Sequence, residues 1–170
     1  IHHGPKREEE LVPWPVTEGG EAKADHLLDW LTGTLMPMVE SELRVLTGPE
    51  HTMVGGSSLG GLMSLYAFFR HNDRFGKALC MSPSLWVAEG KIFEYVAKAP
   101  CAGDPRLYLD CGAKEANGIV IEHAKWMFEM LERKGFWKNY HLYWRPDPRG
   151  DHNERAWRRR LHRALHFLYG

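Results

Sequence analysis

The chain has no excess of either charge, no paired-cysteine spacing and no long apolar run, and each absence removes a class of function. Lys and Arg together number 22, as do Asp and Glu, so no whole-molecule field favours a nucleic acid or an anionic membrane as partner. No stretch approaches the ~18 consecutive apolar residues of a membrane span, and no signal-peptide pattern opens the chain. The three cysteines, Cys80, Cys101 and Cys111, form no C-x-x-C pair, and two fall in apparent strands. They read as buried thiols of a reducing compartment, so the expected location is cytoplasmic. H-E-x-x-H is absent as well. Asp151, His152 and Glu154 could gather around a metal with His2 or His3, but no ligand spacing supports it, and neither a metal nor a cofactor is expected.

What is present begins with an ordinary globular composition: 170 residues, 44% of them hydrophobic, enough for one core and one domain over residues 1–170. Charge is uneven only near the C-terminus, at Arg155, Arg158, Arg159, Arg160 and Arg163. Trp157, Leu161, Leu165 and Leu168 fall on one helical stripe there, which assigns the arginines to an opposite, solvated face rather than to a nucleic-acid patch. The chain does not begin with Met. Ile1-His2-His3-Gly4 reads as the tail of a strand whose earlier part precedes Ile1, or as a processed or engineered end.

Prolines and glycines among charges mark the first twenty residues as an irregular surface loop. Apolar spacing predicts a helix over Ala22 to Glu40, kinked or broken by Pro37. From His51 onward, strand and helix alternate four times. The predicted strands are a buried one ending at Val54, Lys77 to Met81, Arg106 to Asp110 and Asn139 to Trp144. The predicted helices are Leu59 to Arg70, Lys91 to Ala99, Ile119 to Lys134, with Val120, Ala124, Met127, Phe128 and Leu131 on one face, and His152 to Tyr169. Such alternation implies a mainly parallel sheet covered by helices on both faces.

The junction of the first strand and its helix is Val54-Gly55-Gly56-Ser57-Ser58-Leu59-Gly60-Gly61. G-x-S-x-G between strand and helix is a nucleophile elbow, with Ser58 exposed on a sharp turn and small residues at Gly56 and Gly60 leaving room for it. The other use of a glycine-rich turn is phosphate binding, but no Lys follows as a P-loop requires. Ligands of parallel sheets bind at the C-terminal strand ends. There the sequence offers Asp110 and Glu115, and then His152 in the loop after the last strand.

A serine, an acid and a histidine in that order match the order of triad members in α/β-hydrolases. His152 is the expected base for Ser58, with Glu115 preferred to Asp110 as its carboxylate partner because it stands in the loop beyond the strand. The backbone N–H of Leu59, directly after the nucleophile, is the expected oxyanion donor. His162 and His166 lie within the final helix and suit ordinary surface or core roles.

The segments Gly56-Ser57-Ser58-Leu59-Gly60-Gly61-Leu62-Met63-Ser64-Leu65-Tyr66, Phe75-Gly76-Lys77-Ala78, Ser82-Pro83-Ser84-Leu85-Trp86 and His152-Asn153-Glu154-Arg155-Ala156-Trp157 together resemble the putative esterase family. That family holds esterase D, the enterochelin and related siderophore esterases, feruloyl esterases and mycolyltransferases, and the resemblance is to its enterochelin-esterase-like members in particular. Arg7 and Glu10, ahead of Pro13, resemble the loop after the family's fourth strand. The resemblance implies an α/β-hydrolase fold lacking its N-terminal strands, with Ser58 as nucleophile, His152 as base and Glu115 as acid, where members more often have Asp and some use serine and histidine alone. It also implies a second oxyanion donor upstream of Ile1.

The activity implied is a serine carboxylic ester hydrolase working through an acyl-enzyme on siderophore-type or other acyl esters, with a small-molecule ester as its partner. An acyltransferase on the same fold and a non-catalytic binding domain are the alternatives. Trp86 is a candidate wall for an aromatic acyl group and Arg7 a candidate contact for an anionic substrate, against core packing and surface salt bridging as their ordinary uses.

Overall fold

A computed structural model describes residues 4–170. Most of the strand tail expected at Ile1 to Gly4, and His2 and His3 of the metal alternative, lie outside them. A helical turn, α1 (Arg7–Glu10), and an irregular stretch lead to α2 (Ala24–Trp30). The long helix predicted over Ala22 to Glu40 is present but interrupted: Leu31–Leu35 takes wider π-helical turns before α3 (Met36–Glu42) resumes. The break comes ahead of Pro37, because proline has no N–H to donate and its ring crowds the carbonyl four residues back, and a wider turn relieves both.

The rest alternates: β1 (Met53–Ser57), α4 (Leu59–Arg70), β2 (Lys77–Met81), α5 (Lys91–Lys98), β3 (Arg106–Asp110), α6 (Ile119–Arg133), β4 (Leu142–Trp144) and α7 (Glu154–Tyr169). The strands form one parallel sheet in the order β1-β2-β3-β4. Two of them differ from expectation. β1 runs on through both glycines to Ser57 and, as an edge strand, is only partly buried. β4 begins three residues later than predicted, because residues 137–141 turn back on themselves, with Asn139 at φ 64° and its N–H donating to the Leu142 carbonyl at 2.7 Å.

Strand alternation divides the apolar residues between two faces. Ala78, Cys80, Leu107, Leu109 and Leu142 meet α2, α4, α5 and α6 in the main core, while Leu79, Met81 and Tyr108 lie under α7. α4 is buried at every position from Gly61 to Phe69, being enclosed between the sheet and the N-terminal segment. That segment is tied down by Tyr66 Oη, which donates to Asp25 at 2.8 Å, and by Trp14 edge-on to Tyr66. On α6 all five predicted core residues are buried, and the larger ones, Val120, Met127, Phe128 and Leu131, contribute about 1.5–3 kcal/mol each.

α7 corrects the predicted stripe. Its buried positions are Ala156, Arg160, Ala164 and Leu168, whereas Leu161 and Leu165 are exposed. The helix therefore turns a guanidinium into the protein and two leucines out. Among the described residues no helix is long and apolar enough to cross a membrane, and no group of three or more His, Cys, Asp or Glu could hold a metal ion. Cys80 and Cys111 are buried, but Cys101 is only partly so.

Candidate active site

Ser58 sits between β1 and α4 at φ 59° and ψ −124°, a conformation that costs a residue with a Cβ and persists only where neighbours enforce it. Its N–H donates to the Met81 carbonyl at 3.0 Å, and its own carbonyl accepts from Ser84 N–H at 3.1 Å, so the bend is pinned to the end of β2. A Cβ on Gly56 would stand 2.6 Å from the Gly60 carbonyl carbon, whereas one on Gly60 would meet nothing. Of the two glycines read as spacers, Gly56 is the one sterics require. Leu59 opens α4, where first-turn amides lack intrahelical acceptors.

His152 arrives from the loop between β4 and α7, just ahead of Asn153, whose side chain caps α7 by accepting from Ala156 N–H at 3.0 Å. That loop is sewn to the one after β3: Asp147 N–H donates to Cys111 O at 2.8 Å and Ala113 N–H to Asp147 O at 2.9 Å. Gly112 and Gly150 pass so closely that a Cβ on Gly112 would collide with the Gly150 carbonyl. Two loops distant in sequence are thereby held in register, which aligns their side chains.

The result is a continuous line. Ser58 Oγ lies 2.9 Å from His152 Nε2, and His152 Nδ1 lies 2.9 Å from Glu115 Oε2. The His152 side chain is 35% exposed and that of Glu115 is fully buried. Burial raises the pKa of Glu115, but hydrogen bonds from His152, from the Ser82 hydroxyl and from Gly112 N–H outweigh it, and the carboxyl is held below its ordinary value. Of the two carboxylates the sequence left open, Glu115 is the one bonded to His152. Asp110 turns toward α7, accepting from Arg160 Nε at 2.9 Å and Tyr108 Oη at 2.8 Å.

Three further side chains belong to this neighbourhood. Ser84 Oγ is 3.3 Å from Ser58 Oγ, Ser82 Oγ is 2.7 Å from Glu115 Oε1, and Trp157 lies edge-on to the His152 ring at 5.0 Å. Both serines belong to Ser82-Pro83-Ser84-Leu85-Trp86, a segment in which only Trp86 is given a role from sequence. The serines carry no periodicity of their own and become visible only when β2 and β3 are set side by side.

The two candidate substrate contacts stand apart from this line. Trp86 is half-buried, packs against the main core and meets His123 edge-on at 6.3 Å. Arg7 lines a cavity of about 680 Å³ along the free edge of β1, which reaches Gly56 and Gly60 behind the elbow. Arg149 is exposed, and Arg145 lines a groove between β4 and α7 with Arg106, Arg163, His162 and His166.

Known proteins agree with this architecture. The chain is 24% identical over 176 residues to the uncharacterized protein YbbA of Bacillus subtilis, covering 96% of this chain and 70% of that one. It is 26% identical over 139 residues to the iron(III) enterobactin esterase of Escherichia coli, covering 77% of this chain and 33% of that one. The crystal structure of the Shigella flexneri enterobactin esterase in the presence of enterobactin superimposes with a TM-score of 0.78 at 25% identity, over 98% of this chain and 40% of that one. The chain thus spans a third to two-fifths of the enterobactin esterases it matches. The family model described as Putative esterase matches residues 6–168, and the chain belongs to that family.

Proposed function

We propose that this chain is a serine carboxylic ester hydrolase that works through an acyl-enzyme. The observation that carries the reading is the 2.9 Å approach of Ser58 Oγ to His152 Nε2, with the other imidazole nitrogen held by the buried Glu115. Ser58 Oγ attacks the ester carbonyl while Nε2 takes its proton, and Glu115 stabilises the imidazolium. The Leu59 N–H meets the oxyanion of the tetrahedral intermediate. Collapse breaks the bond to the alcohol oxygen, which leaves with the proton from His152. Water then repeats the sequence on the acyl-Ser58, releasing the acid and restoring the hydroxyl.

Siderophore-type acyl esters are the proposed substrate class, supported by the siderophore esterases among the relatives. Trp86, in the segment that follows β2, is the proposed wall for an aromatic acyl group, and Arg7, in the cavity along β1, the proposed contact for an anionic one, although both stand apart from the Ser58–His152–Glu115 line. Transfer of the acyl group to an added alcohol instead of water distinguishes an acyltransferase by its products.

An activated aryl ester tests the mechanism. Rapid mixing is expected to release a burst of phenol equal to the enzyme concentration, lost in Ser58→Ala. In His152→Ala, turnover is expected to fall by about 10²- to 10⁴-fold with the fold intact. No burst and no turnover in the parent protein would leave the chain as a binding domain on a hydrolase scaffold.

A further inference from the structure

Arg160 is fully buried on α7, where a guanidinium needs compensation to be tolerated. Asp110 supplies the counter-charge through Nε at 2.9 Å, and Tyr108 Oη fixes the same carboxylate oxygen at 2.8 Å. Gly150 makes room, since a Cβ there would stand 2.7 Å from Nη1. The remaining nitrogen, Nη2, donates to Ser82 Oγ at 2.8 Å and lies 3.6 Å from Glu115 Oε1. Ser82 Oγ also accepts from Trp157 Nε1 at 3.0 Å and stands 2.7 Å from Glu115 Oε1.

The donor inventory fixes where the protons are. Indole and guanidinium N–H groups only donate, and a hydroxyl has two lone pairs and one hydrogen. With Trp157 and Arg160 occupying both lone pairs, the hydroxyl hydrogen of Ser82 is directed at Glu115 Oε1. That oxygen also receives Gly112 N–H at 2.6 Å, so it accepts twice and has no place for a proton of its own. A proton on Oε2 would neutralise the carboxylate beside a buried guanidinium. For the neutral imidazole the arrangement left is Nδ1–H of His152 donating to Oε2, with the Nε2 lone pair facing Ser58.

We propose that Arg160 and Trp157 are positioning residues that act through the Ser82 hydroxyl and Glu115 to hold His152 in the one tautomer able to take the proton of Ser58. The proposal rests on the hydrolase reading for its consequence, but the tautomer itself is measurable without substrate. Asp110 on this account is the counter-charge that seats Arg160. A purely structural tie between α7 and β3 would leave the imidazole protons where they are.

The test uses Ser82→Ala, Trp157→Phe, Arg160→Met and Arg160→Lys in the whole chain, with two readouts. Imidazole ¹⁵N NMR at neutral pH reads the His152 tautomer, and the rate of fluorophosphonate labelling reads Ser58. The parent is expected to carry its proton on Nδ1. Ser82→Ala and Trp157→Phe are expected to give mixed tautomers and labelling slowed by about 10- to 100-fold, the scale on which outer-shell partners orient a histidine in metal sites. Arg160→Lys is expected to recover part of what Arg160→Met loses. Should Arg160→Met not fold, the other two substitutions decide. An unchanged tautomer and parental labelling rates in both would overturn the proposal and leave the hydrolase reading standing. A parent that carries Nδ1–H but is never labelled would instead sink the hydrolase reading and leave the tautomer assignment intact.

Discussion

Glu115 shows how one residue can carry both charge and placement. Its side chain is fully buried, yet three donors hold its carboxyl below the ordinary 4.5. A carboxyl with a depressed folded pKa stabilises the fold above its unfolded value, and that contribution disappears as pH falls through the folded one. The difference in unfolding free energy between the parent and Glu115→Gln is therefore expected to level off above the ordinary carboxylate value of 4.5 and to shrink as pH falls below it, by denaturant titration across the range. A difference independent of pH would mean the carboxyl titrates alike in the folded and unfolded chain, and one that falls as pH rises would mean it stays protonated in the fold.

At this scale Ser58 was legible because its requirement is local: a sharp bend needs Gly56 two residues before it. Arg160 was not. Its partner Asp110 is 50 residues away, and nothing in a run of arginines distinguishes the one that points inward.

At the scale of elements, α7 departs furthest from expectation. The stripe of Trp157, Leu161, Leu165 and Leu168 has the right spacing, but an arc displaced from it, Ala156, Arg160, Ala164 and Leu168, is the one that is buried. Small residues on either side of Arg160 let the helix approach β2 and β3 closely, and the Asp110 ion pair sets its rotation. Hydropathy alone could not have found this, because it places alanine below leucine and arginine outside altogether. Leu161→Ser is accordingly expected to change stability by no more than about 0.5 kcal/mol, and Ala164→Leu to cost about 1–3 kcal/mol by overpacking, both read by thermal or denaturant unfolding. The reverse ranking would restore the leucine stripe. α6 and α5, with wide apolar faces and no buried charge, follow their periodicity. β4 is short because a left-handed Asn139 holds residues 137–141 in a turn and delays the extended run that alternation alone would start there.

For the molecule as a whole, the alternation of strands and helices was enough to give a parallel sheet, whereas the order β1-β2-β3-β4 comes from the strand pairing, because alternation is compatible with other orders. The sheet brings together groups that the sequence separates by up to 94 positions: the bend after β1, the serines after β2, the Glu115 carboxylate after β3 and the imidazole after β4. The register between the last two loops, set by Asp147 and the Gly112–Gly150 approach, had no local signature. The proposed chemistry depends on activation of the Ser58 hydroxyl by His152. Labelling with a fluorophosphonate followed by peptide mass spectrometry tests it most directly. One adduct per chain is expected, on Ser58, absent in Ser58→Ala and much slower in His152→Ala; an unlabelled parent, or a Ser58→Ala protein labelled as fast as the parent, would contradict it.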